Sequence, residues 1–173
     1  MMTMTTSRFS LLLFIVLGLN ACGFSLRGSD VLSSQFAAIR IDSQEPNSEF
    51  SRLLRRSLEI ANVTIETGSG ESGSDEATET PTLAISAERL VSRPVSINPR
   101  ARAAQYEIRL SVIIALGLAD EYLIPQETLF IERSYFEDIE NISGNREEIE
   151  IITAEMRRDL VNQLIRRLQS TAT

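Results

Sequence analysis

Apolar residues fall on every second position from Tyr106 to Leu116. Tyr106, Ile108, Leu110, Val112, Ile114 and Leu116 share one side of an extended chain, opposed by Gln105, Glu107, Arg109 and Ser111. A period of two held over this length predicts a strand half buried against a second layer. The stretch before it, TLAISAERLVSRPVSI, repeats the pattern less cleanly. Leu83, Ile85, Ala87, Val91, Val95 and Ile97 are expected on one face, while Leu90 is out of phase. Pro94 has no N–H to give to a ladder, so a bulge or a sheet edge is expected in the second half of this strand. ETLFIERSYF, with apolar residues on both faces, predicts a further strand, and LADEYLIPQ before it reads as the hairpin connection. Two shorter strands are expected, at FAAIRID (Phe36 to Asp42) and at Val63-Thr64-Ile65.

Two segments carry the helical period instead. Pro46-Asn47-Ser48 offers a helix start with Glu49 in the first turn, and Phe50, Leu53, Leu54, Leu58 and Ala61 follow on one side. Arg52, Arg55, Arg56 and Glu59 lie largely opposite, which predicts a one-faced helix of about four turns. The last element is expected to open at Asn145, with Glu148 completing a capping box. Ile149, Ile152, Met156, Leu160, Leu164 and Leu168 form its apolar stripe. Acids come early in it (Glu147, Glu148, Glu150) and arginines late (Arg157, Arg158, Arg166, Arg167), the order that the helix dipole favours.

The resulting order is strand, helix, short strand, loop, three long strands, helix. It predicts an α+β two-layer sandwich: a mostly antiparallel sheet of about four to five strands, with two helices packed on one face. Two helices cover one sheet face only. The other must meet solvent or a partner, and Gln105, Glu107, Arg109, Ser111, Ile113 and Ala115 would line part of it. Between Gly68 and Thr80 the chain reads GSGESGSDEATET, a composition that builds no core; it is expected to be a mobile acidic loop inside one domain of residues 22–173.

Composition narrows the chemistry. All seventeen basic residues are arginine, and the net charge is −7. An acidic chain is unsuited to general nucleic-acid binding, which rests on neutralising phosphates, so no nucleic-acid partner is expected. Without histidine and with a single cysteine, His-based triads and His/Cys zinc sites are excluded. No cofactor, metal or catalytic residue is expected. What composition leaves open is an oxygen-ligand metal site or an enzyme using a carboxylate pair, drawn from Glu88, Glu107 and Glu132, which read more simply as surface residues.

The first residues have their own pattern. A short leader with Arg8 and no acid precedes the apolar run FSLLLFIVLGL, the arrangement of an export signal over residues 1–21. Leu19-Asn20-Ala21-Cys22 resembles the lipobox of bacterial lipoproteins, cut before the cysteine. The resemblance implies that Cys22 carries diacylglycerol on sulfur and an acyl chain on its freed amine. Each buried CH₂ is worth roughly 0.8 kcal/mol, so three chains make a permanent membrane anchor where one would not. Gly23 follows, not the aspartate that resembles an inner-membrane retention signal, which points to the outer membrane.

CGFSLRG (Cys22 to Gly28), Gln105-Tyr106-Glu107-Ile108, Arg133-Ser134-Tyr135-Phe136 and Gln163-Leu164-Ile165-Arg166-Arg167-Leu168 together resemble the LptE family of lipopolysaccharide-assembly lipoproteins. They correspond to its lipidated start, its central strand, the end of the next strand and its C-terminal helix. The resemblance implies a plug inside the lumen of the outer-membrane β-barrel LptD, a role in assembling that barrel, and binding of lipopolysaccharide on its way to the outer leaflet. It also implies lipopolysaccharide contacts in two loops at one end of the sheet, matching Asn98-Pro99-Arg100-Ala101-Arg102 and Ser143-Gly144-Asn145-Arg146. Arg100, Arg102 and Arg146 are then candidate phosphate contacts, since guanidinium forks suit phosphate oxygens. The alternative is a lipoprotein that scaffolds, or serves as an accessory subunit in, another envelope assembly machine.

Overall fold

The computed structural model describes residues 30–66, 80–97, 103–137 and 142–172. Its elements are α1 (Asp30–Gln35), β1 (Ala38–Ser43), α2 (Glu49–Ile60), β2 (Thr64–Glu66), β3 (Thr82–Ile85), β4 (Arg89–Ile97), β5 (Ala103–Leu118), β6 (Glu121–Phe136), α3 (Ile142–Gln169) and a closing 3₁₀ turn (Ser170–Ala172). The class is α+β as expected, with three α-helices and six strands in a mixed sheet among the described residues. β1 runs parallel to both β2 and β3, whereas β3, β4 and β6 are all antiparallel to β5.

β5 is the axis of the sheet. One of its edges is shared: β3 pairs with the end near Gly117 and β4 with the half from Ser111 back to Ala103. The expected single strand over 82–97 is therefore two. The break lies at Ser86–Glu88, where Ser86 N donates to Ile113 O and Ser86 Oγ accepts from Ile113 N, both at 2.9 Å, and Ala87 N turns to the Gln44 side chain at 3.0 Å. The break changes the phase of the alternation. Leu83 and Ile85 pack beneath the helices, but Val91, opposite Arg109, is 42% exposed on the other face. The shared face expected for these residues is thus corrected. Pro94 behaves as its chemistry requires: β4 is an edge strand, and its register shifts between Pro94 and Ile97.

The hairpin connection is also shorter than expected. Leu118 pairs with Glu121, leaving a two-residue turn of Ala119 and Asp120, with Ala119 at φ 51°. Residues 121–126, expected in the connection, belong to β6. Pro125 is tolerated because it sits in a bulge: Ile114 faces Glu127 and Leu116 faces Ile124, so Pro125 and Gln126 oppose Ala115 alone. The missing N–H falls where the ladder is already interrupted.

Ser48 caps α2, its hydroxyl accepting from Ser51 N at 3.2 Å, as Asn47-Ser48 in the sequence promised. Phe50, Leu54 and Leu58 then meet Ile39, Leu83, Ile108, Leu110, Ile114 and Leu116 in one core with Met156, Leu160, Leu164 and Leu168 of α3. Each such side chain contributes about 1.5–3 kcal/mol by leaving water. α3 starts at Ile142, three residues before the expected cap, so Asn145 lies within the helix and does not cap it. Three ion pairs fix α3 over the sheet: Arg157–Glu88 at 2.8 Å, Arg133–Asp159 at 2.6 Å and Arg167–Glu127 at 2.6 Å. α1, which the sequence pattern did not suggest, buries Leu32, and Gln35 Nε2 donates to Gln169 O at 3.4 Å.

Candidate functional site: the open face of the sheet

Strand alternation sends every second residue of β4, β5 and β6 away from the helices. Register then arranges these side chains in rows across the three strands. One row holds Arg93, Glu107 and Ser134, the next holds Val91, Arg109 and Glu132, and the third holds Arg89, Ser111 and Phe130. Thr128 stands opposite Ile113 beyond them. Rows of this kind are about 7 Å apart along a strand, and strands about 4.8 Å apart.

The first two rows carry matched charge. Arg93 Nε donates to Glu107 Oε1 at 2.7 Å, and Arg109 Nε to Glu132 Oε1 at 2.7 Å. The Arg109 guanidinium also lies over the Phe130 ring, 4.5 Å from its centroid, which ties the second row to the third. Arg89, Val91, Arg93, Glu107, Arg109, Ser111, Thr128 and Phe130 line a shallow groove of about 370 Å³. Ile113 and Phe130 are each exposed by more than two fifths, and Phe136 by 69%. The face is therefore a charged lattice interrupted by single apolar side chains.

Gln105, Glu107, Arg109, Ser111, Ile113 and Ala115 do lie together on this face, as the alternation of β5 required. Glu132 was expected near Glu107 only as a carboxylate pair; Arg89, Arg93 and Phe130 were not foreseen as neighbours, because the register between strands is not written in local pattern. At the start of β5, on the helix side, Tyr106 and Tyr135 stack with centroids 5.4 Å apart. Partial burial, and then the Glu137 carboxylate to which it donates a hydrogen bond, raise the Tyr106 hydroxyl above the ordinary tyrosine range.

The carboxylates of the enzyme alternative are each engaged by an arginine: Glu88 by Arg157, Glu107 by Arg93 and Glu132 by Arg109. Glu88 meets α3 on the covered side, so it does not join the other two. Among the described residues no group of three acidic or cysteine side chains could hold a metal ion. Cys22, Arg100, Arg102 and most of the acidic loop lie outside the described residues. Arg146 is exposed near the start of α3. Gln105 pairs with both Ser96 and Phe136, so the strand ends flanking 98–102 and 138–141 share one end of the sheet. Thr80 Oγ1 donates to Glu66 at 3.1 Å, which brings the two ends of the acidic loop together.

The family model described as LptE, lipopolysaccharide-assembly, matches residues 36–168. Curated relatives include the LPS-assembly lipoproteins LptE of Photorhabdus laumondii, 28% identical over 85% of this chain and 76% of its own length, and of Pectobacterium atrosepticum, 26% identical over 92% and 84%. Among solved structures, the rare lipoprotein B of Shewanella oneidensis superposes with a TM-score of 0.68 at 24% identity, over 78% of this chain and 96% of that one. An uncharacterised lipoprotein B of Nitrosomonas europaea gives 0.66 at 21%, over 87% and 92%. These two establish likeness of fold. The family match takes in strands β1 to β6 and all but the last residue of α3, and on that ground the chain belongs to the LptE family of lipopolysaccharide-assembly proteins.

Proposed function

We propose that this chain is an outer-membrane lipoprotein, held by acyl chains on Cys22, that occupies the lumen of an LptD-type β-barrel. There it plugs the barrel, helps it assemble, and binds lipopolysaccharide bound for the outer leaflet. The observation that carries this reading is the family match over both layers of the domain. The geometry is in keeping with it. A plug must present a large polar surface to a polar lumen wall, and the open sheet face is a charged lattice that no helix among the described residues covers. No reaction is assigned to the protein; Glu88, Glu107 and Glu132 are each paired with an arginine.

In this reading Cys22 is the lipid site, with residues 1–21 removed. Arg100, Arg102 and Arg146 are phosphate contacts for lipopolysaccharide. Arg100 and Arg102 follow the end of β4, and the segment leading into α3 follows the end of β6 at the same end of the sheet, which supports grouping them; Arg146 itself lies in the first turns of α3, where a loop was expected. The domain would stay close to the bilayer. The eight Cα-to-Cα steps from Cys22 to Asp30 reach at most about 29 Å when fully extended.

Extraction of the tagged protein from its own outer membrane in mild detergent tests the plug. A large, heat-modifiable β-barrel recovered in about equal amount is the expected result. Recovery of the lipoprotein alone, or with periplasmic proteins only, would refute it. Cys22→Ala should leave an unprocessed precursor outside the outer membrane; normal processing would remove the anchor claim. Arg100→Ala combined with Arg102→Ala should weaken lipopolysaccharide binding in vitro, and unchanged affinity would dismiss those two contacts.

A further inference from the structure

The third row of the open face lacks what the other two have. Arg93 and Arg109 each face a glutamate, whereas Arg89 shares its row with Ser111 and Phe130. The nearest acid in the chain, Glu88, is on the covered side, where Arg157 Nε reaches both of its oxygens at 2.8 and 3.0 Å. Among the described residues Arg89 forms no ion pair. Its own carbonyl accepts a long hydrogen bond from Ser111 Oγ, at 3.4 Å. The three rows thus hold three arginines and two glutamates, a local excess of one positive charge on a chain whose net charge is −7.

We infer that Arg89 is an anchor for a carboxylate supplied by the partner, an aspartate or glutamate projecting from the lumen wall of the barrel into the groove over Ser111 and Thr128. This rests on the plug reading and names the place where the wall is gripped. The groove is shaped for it. Val91 and Phe130 wall it with apolar surface, which strengthens a charge-assisted hydrogen bond by thinning the water around it. Ser111 and Thr128 offer hydroxyls to a second carboxylate oxygen. Arg93 and Arg109 are held back by their own glutamates, so the unmatched guanidinium is the one that gains most from a partner. A protein carboxylate suits the surface better than a lipid does. The apolar side chains stand singly between charges, and none forms a channel for acyl chains.

The test uses the full lipoprotein in its own cells. A photo-crosslinking amino acid is placed at position 91 or at position 128, both exposed. In parallel, Arg89→Glu, Arg89→Lys and the control Arg56→Glu are extracted in mild detergent, and the barrel recovered per lipoprotein is measured. Arg56 lies on an exposed part of α2, and the control changes the net charge by the same amount. Cross-links from 91 and 128 should map to lumen-facing barrel segments that carry an aspartate or glutamate. Arg89→Glu should lower recovery about tenfold and Arg89→Lys far less, with Arg56→Glu unaffected. Replacing the mapped acid by arginine should restore binding to Arg89→Glu. Full recovery with Arg89→Glu would overturn the inference and leave the plug standing. So would cross-links from both positions to lipopolysaccharide alone, or none while the barrel still co-purifies. Should Arg89→Glu fail to accumulate, the cross-links decide. Absence of any barrel with the unaltered protein would remove the plug reading and this inference together.

Discussion

One peptide bond separates Arg109 from Leu110, and the two side chains are held by different forces. Leu110 is fully buried between β5 and the helices. Its contribution comes from water excluded around it and hardly depends on which apolar neighbours do the excluding. Arg109 is half exposed, bonded to Glu132 and laid over Phe130. Exposed ion pairs contribute about 0.2–1 kcal/mol each, less in salt. The sheet therefore has one face that makes the fold stable and another whose ordered charges add little to stability. The second face is free to be shaped for recognition, and a substitution there should alter binding long before it alters folding.

The largest expected effect is on the covered face. Leu110→Ala should lower the unfolding free energy by about 2–5 kcal/mol, from lost burial and the cavity left behind. Urea denaturation of a soluble form beginning after Cys22 measures it, and a loss under about 1 kcal/mol would break the contrast. Glu88→Gln comes next, because its pair with Arg157 is mostly covered, the side chains being 15% and 26% exposed. About 1–2 kcal/mol should be lost in the same assay, placing this pair between the two extremes. Glu107→Gln removes a bond of similar length on the open face, where Arg93 is 64% exposed. It should cost less than about 1 kcal/mol, and less again in high salt; a cost equal to that of Glu88→Gln would mean that the open face is structural after all.

The smallest effect appears only in alkali. The fold holds the Tyr106 proton more tightly than the unfolded chain does, since partial burial and Glu137 both oppose the phenolate. The stability this represents is complete below about pH 10 and is lost as pH rises past it. Tyr106→Phe should flatten the alkaline limb of a plot of stability against pH. An identical limb in both proteins would show that another group is responsible.

The two faces also differed in how far the sequence disclosed them. Strict alternation from Tyr106 to Leu116 revealed both sides of β5, because a strand under helices must separate apolar from polar residues. The rows of the open face were hidden. Arg89 meets Ser111 only because β3 and β4 part at Ser86–Glu88, and the sole hint was Leu90 falling out of phase. Pro125 misled for a related reason: proline reads as a loop, yet a bulge dispenses with the very N–H it lacks. α1 escaped because six residues are too few to show a period; among its described side chains Leu32 is the one that is buried. Asn145 and Glu148 had the spacing of a cap, but Ile142 and Ser143 before them already have helical geometry. Families of residues that act through local pattern were legible; those that act through register were not.

The place of α3 has a consequence in time. A chain made from its N-terminus delivers α1, β1 and α2 first, and their apolar sides are fully closed only when the later strands and residues 142–169 arrive. Leu32, Phe50, Leu54 and Leu58 share one core with Met156, Leu160, Leu164 and Leu168. The β5–β6 hairpin can zip up early through its two-residue turn, since its contacts are local. The remainder must wait, and a chain cut short before α3 would leave wet the part of the covered face that Met156, Leu160, Leu164 and Leu168 bury. The core is complete only once α3 has docked, so a chain lacking it carries apolar surface by which it can be told apart and cleared.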